Sequence, residues 1–161
     1  MKIFGHPVHP LLIHFPTALL PMDLVLSVLH FSTGNASFAL AGYYCLTGGV
    51  VTGLAAVATG LLELTTIPRS NKQAFGSALV HGFINGFILL VFGVMAFREW
   101  KIYPQPLATT SAILVGKGIL VIALFIGNYL GGQLIYRHFI GIEHKQTEHG
   151  KTADENRAIA R

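Results

Sequence analysis

The chain has 161 residues, 52% hydrophobic and only 11% charged, with a formal charge of +4 and a mean hydropathy of +0.59. A soluble domain spends about a quarter of its residues on charge to hydrate its surface, so the composition excludes an ordinary soluble globule and points to an integral membrane protein. The basic balance does not point to nucleic acid, because the 11 Lys and Arg lie scattered at the ends of apolar runs, where they anchor helices at a bilayer surface.

A helix needs about 20 mainly apolar residues to cross a bilayer, and four stretches meet that length. The first covers residues 10–31. Its position suggests a cleavable signal, but Lys2 is a thin basic region, His14 and Asp23 interrupt the run, and no small-x-small site follows cleanly, so a retained helix is expected. After the turn Ser32-Thr33-Gly34-Asn35, the second stretch covers 38–67 and stops at Pro68-Arg69-Ser70-Asn71-Lys72. The third covers 76–97 and stops at Arg98-Glu99-Trp100-Lys101, followed by Pro104 and Pro106; the fourth covers 108–136. Residues 143–161 are polar, of mixed charge, and are expected to be a disordered tail.

The fold expected is an all-α membrane protein, an antiparallel bundle of four transmembrane helices within residues 1–142, running up-down-up-down through short loops. Lys2, Arg69, Lys72, Arg137, Lys145, Lys151, Arg157 and Arg161 fall on the side of the termini, against Arg98 and Lys101 on the other. The positive-inside rule then puts both termini in the cytoplasm, with the lipid bilayer as the first partner. The single cysteine, Cys45, excludes an internal disulfide. Gly49 and Gly53, Gly82 and Gly86, and Gly127 and Gly131 have the four-residue spacing of close helix packing in lipid.

Ionisable and amide groups in a membrane are costly unless paired or hydrated, so each is a candidate site. At about 1.5 Å rise per residue, His14 and His81 lie at the same depth in parallel helices near the end that holds the termini. His9, His6, Glu63 and His138 lie nearer its mouth. Two neutral imidazoles facing each other in an apolar bundle suit the axial ligation of haem iron. That reading takes His14 and His81 as ligands with His138 and His9 beside them, and Gly82 and Gly86 making room. A transition-metal ion held by imidazoles such as His6 together with Glu63 is the alternative, and plain interhelical hydrogen bonding is a third. His30 lies at the opposite end, and His144 and His149 in the tail.

Asp23 and Lys117 lie at one depth, about 12 Å from the other end, and are expected to neutralise each other as a structural ion pair, with proton or ion handling through a titrating Asp23 as the alternative. Asn85 and Asn128 lie at comparable depth and are expected to bond across the bundle. Positions nine apart on a helix point to opposite faces, so His14 and Asp23 cannot both face inward unless Pro16 and Pro21 re-aim one of them.

The opening GHPVHPLLIHFPTALLPMD, the closing GGQLIYRHFIGI, the segment GLAAVATGLLEL and the His81 to Asn85 pair resemble the bacterial membrane-protein family known as domain of unknown function 2231. The resemblance covers nearly all of residues 5–142. It implies a four-helix membrane unit, in other proteins sometimes joined to cytochrome-type modules, with recurrent polar groups at His6, His9, His14, Asp23, Glu63, His81, Asn85 and His138. It carries no activity with it. Two positions depart from the pattern: Glu63 stands where Asp is expected, and His138-Phe139 replaces His-Gly.

Together these features point to a component of the bacterial inner membrane that binds haem b and transfers electrons to a redox partner. A metal-ion or proton binding or transport protein, or a structural subunit of a complex or homo-oligomer, is the alternative. The lack of CxxCH excludes covalent c-type haem, and with no nucleophile constellation in view, electron transfer is expected over substrate turnover.

Overall fold

A computed structural model describes residues 2–3, 6–105 and 108–138 of the chain. A two-residue antiparallel ladder, β1 (Lys2–Ile3) with β2 (His6–Pro7), opens it. There follow α1 (Val8–Leu12), α2 (His14–Thr33), α3 (Ala36–Leu64), α4 (Lys72–Ile102) and α5 (Ser111–His138). Helix α1 runs into α2 through Ile13, whose N–H donates to His9 O at 3.1 Å and whose carbonyl accepts from Thr17 N at 3.2 Å. The two act as one span, so four spans are long and apolar enough to cross a membrane.

The turns follow local chemistry. Gly34 closes α2 in the left-handed region at φ 70°, where a side chain would be strained. Asn35 and Asn71 cap α3 and α4, their side chains accepting from Ser37 N at 2.9 Å and Ala74 N at 3.1 Å, which satisfies donors that the first helical turn leaves open. With connections this short, consecutive spans must run antiparallel. Helix α2 packs on α3, α3 on α4 and α4 on α5, and α5 returns to α2, closing the bundle.

The core is apolar: Leu20, Leu46, Ile88, Phe92, Ala96, Val121 and Leu124. The outside is apolar too, with Phe83 78% and Leu90 65% exposed, while Asp23, Ser27 and Lys117 are buried. That inverted distribution suits lipid as the solvent and would fail in water. Gly49 and Gly53 let α3 approach its neighbours: a Cβ there would come within 2.7 Å of the Leu20 side chain and 2.5 Å of that of Leu89.

Two sequence expectations need correction. Gly82 and Gly86 have nothing within 4 Å of a Cβ, because that face of α4 points out of the bundle. The third helix does not stop at residue 97 but continues to Ile102. The charged run Arg98-Glu99-Trp100-Lys101 is the amphipathic last turn of a helix, with Lys101 Nζ 5.2 Å from the Phe97 ring centre. The expected tail, 143–161, lies outside the described residues.

Candidate functional site

The inward face of α2 carries Pro16, Leu20, Asp23 and Ser27, all buried. His9 lies fourteen residues before Asp23, close to four whole helical turns, and so falls on that same inward face. His14 lies nine before it and falls on the opposite one. Pro16 and Pro21 do not re-aim it: His14 is exposed and its Nδ1 donates to Leu11 O at 3.3 Å. The expected pairing of His14 with His81 is therefore replaced by His9 with His81, whose ring centres are 6.4 Å apart with planes at 89°.

Both rings are held by one device. His9 Nδ1 donates to the carbonyl of Ala56 on α3 at 2.8 Å, and four residues on, a Cβ at Gly60 would sit 3.0 Å from His9 Cε1. His81 Nδ1 donates to the carbonyl of Gly127 on α5 at 2.8 Å, and again four residues on, a Cβ at Gly131 would sit 2.6 Å from His81 Cε1. A carbonyl at position i leans toward residue i+4, and glycine at i+4 clears the space an approaching ring needs. Because a carbonyl only accepts, each neutral ring carries its proton on Nδ1 and its lone pair on Nε2. That is the arrangement a metal-binding imidazole takes, its other nitrogen tied to a carbonyl.

Asn85, one turn along α4 from His81, donates through Nδ2 to His81 O at 2.9 Å and packs against Gly127. Its Oδ1 is buried without a partner among the described residues. Asn85 does not bond Asn128 as expected: its Nδ2 lies against its own helix, bonded to His81 O and 3.2 Å from His81 Nδ1. Asn128 instead donates to Thr17 Oγ1 at 3.0 Å, and Thr17 passes the bond to Ile13 O at 2.7 Å, tying α5 to the α1–α2 junction. Glu63 is half-buried near the end of α3. No group of three or more His, Cys, Asp or Glu suited to a metal ion occurs among the described residues. The side chains of His6 and His138 lie outside them.

The second polar cluster lies toward the opposite end. Lys117 Nζ is 2.7 Å from Asp23 Oδ1, 2.9 Å from Ser27 Oγ and 3.8 Å from Glu99 Oε1. Asp23 and Lys117 are 1% and 3% exposed. A recess lined by Tyr43, Tyr103, Gln105 and Thr109 leads to them, with room for a water molecule or two at its inner end rather than for an organic ligand. Tyr44 and Tyr103 share a hydroxyl hydrogen bond of 2.8 Å nearby. Sequence reasoning placed Glu99 in a loop and missed it. The signal was its position seven residues after the core residue Phe92, which keeps it on the inward face of α4.

The family model described as predicted membrane protein, DUF2231, matches residues 5–144. The chain belongs to this family. Both polar clusters fall inside the segment that matches DUF2231. No curated protein and no solved structure matches the chain.

Proposed function

We propose that this integral membrane protein is a redox component whose paired imidazoles, His9 and His81, hold the iron of a b-type haem. The observation that supports this reading is the double carbonyl-and-glycine device, which gives each neutral ring its proton on Nδ1 and would leave Nε2 to bind a metal. The two ring centres lie 6.4 Å apart, so one group would lie within reach of both imidazoles. Asn85 Oδ1 beside His81, buried without a partner among the described residues, is a further polar group that would be available to an occupant. A haem held by His9 and His81 would supply one-electron chemistry. The protein's part is to orient the rings, keep the site in an apolar surround and span the bilayer. By the charge asymmetry of its ends, it does so in a bacterial inner membrane with both termini in the cytoplasm, facing a soluble or membrane-bound redox partner.

The test is a reduced-minus-oxidised visible spectrum of the purified full chain after haem-replete expression. Haem bands are expected, altered by His9→Ala or His81→Ala and unchanged by His14→Ala or His30→Ala. Elemental analysis of the same sample distinguishes haem iron from a bare transition-metal ion, the second occupant this donor set suits. Absence of both would leave the rings as interhelical clasps and end the proposal. Reporter fusions after Arg161 and in the loop that holds Pro104 check the orientation: the first should read cytoplasmic and the second external.

A further inference from the structure

The cluster at the other end of the bundle carries a charge imbalance that its geometry does not resolve. Two carboxylates, Asp23 and Glu99, share one ammonium, that of Lys117, so the fully ionised cluster is negative by one. A net charge enclosed by apolar helices in lipid is costly. Lys117 satisfies only one oxygen of Asp23: Oδ1 takes the short ion pair, while Oδ2 is buried with no partner among the described residues. Asp23 lines the inner end of the recess, and Glu99 lines it too with its side chain 15% exposed. The other polar groups at the cluster among the described residues are Ser27 on α2, Tyr43 and Cys45 on α3, and Tyr103, Gln105 and Thr109 between α4 and α5; none of them carries a positive charge.

We propose that Asp23 and Glu99 share one exchangeable proton, held beside the Lys117 ammonium at the inner end of the recess, so that the loaded cluster is uncharged. The proton goes to one carboxylate oxygen as O–H and leaves through the recess, by way of water, toward the loop between α4 and α5. No bond other than O–H forms or breaks. A proton fits better than a metal cation, because the cation position is already taken by Nζ at 2.7 Å from Asp23 Oδ1. The proposal does not depend on His9 and His81 and stands or falls separately.

Infrared spectroscopy of the full chain in lipid nanodiscs at neutral pH tests it, because a protonated carboxyl absorbs apart from an ionised one. The wild type should show a protonated-carboxyl band that shifts on exchange into heavy water. Glu99→Gln and Asp23→Asn, each leaving one carboxylate against one ammonium, should each lose it. Lys117→Met, leaving two carboxylates and no ammonium, should raise it about twofold. Replacing choline chloride by sodium chloride at fixed ionic strength should leave it unchanged. No band in the wild type, a band surviving Glu99→Gln, or a band removed by sodium would each overturn the proposal. The wild-type and sodium measurements decide it even where a variant fails to fold.

Discussion

At the end of the bundle that carries α1, His9 and His81 are held by main-chain carbonyls of neighbouring helices. Toward the end where α4 turns into α5, Asp23, Ser27 and Lys117 hold one another through side chains alone. The first cluster therefore depends on how closely backbones approach, and the second on how charges cancel. Substitutions should separate the two: volume matters most at the imidazoles, and charge at the carboxylates.

The largest effect should come from Lys117→Met, which leaves buried carboxylate without its ammonium. Breaking a buried ion pair from one side costs about 3–5 kcal/mol, measurable by unfolding in mixed detergent micelles. The loss should shrink as pH falls, since added protons replace the missing positive charge. Exchanging the two charges, Asp23→Lys with Lys117→Asp, should recover part of it; additive losses would show that the pair is not coupled.

At the imidazole end, Gly131→Ala drives a methyl into the His81 ring and should destabilise by about 1–3 kcal/mol, the usual penalty for overpacking. Gly82→Ala, in open space on the same bundle, should instead stabilise by about 0.5–1 kcal/mol through helix propensity. If the two glycines behaved alike in a thermal melt, the main-chain account of this end would be wrong.

Asn128→Ala, which cuts the bond to Thr17, should cost about 0.6 kcal/mol, the mean for polar contacts between membrane helices. The smallest change should be that of His14→Ala, within about 0.5 kcal/mol as for other exposed positions.

The four spans were legible because lipid demands long apolar runs, and the turns because Gly34, Asn35 and Asn71 are strong punctuation. Asp23 and Lys117 could be matched by depth alone, since no other basic residue lies so deep in an apolar run. Depth was not enough for the histidines. His14 matches His81 in height but not in rotation, and the clue was the nine-residue offset from Asp23, which the prolines made ambiguous. Glu99 was hidden for a different reason: Arg98 and Lys101 close by, with Pro104 and Pro106 after them, made a helix end look like a loop. Asn85 and Asn128 lie at similar depth yet choose other partners, because the nearest acceptors are a carbonyl on the same helix and a hydroxyl on α2.

The paired imidazole slots also work as rotational keys. A ring seated between a carbonyl and the glycine four residues beyond it fits at only one angle of its helix about its own axis. His9 thus sets the phase of α1 against α3, and His81 that of α4 against α5. A residue inserted between His81 and Phe92 would turn the ring by about 100° relative to the core and unseat it. The same insertion between Lys72 and Phe75, beyond the slot, would lengthen the helix end and leave the key in place. Tolerance to insertion along α4 should therefore change abruptly at His81, although the bilayer sees an apolar helix on either side.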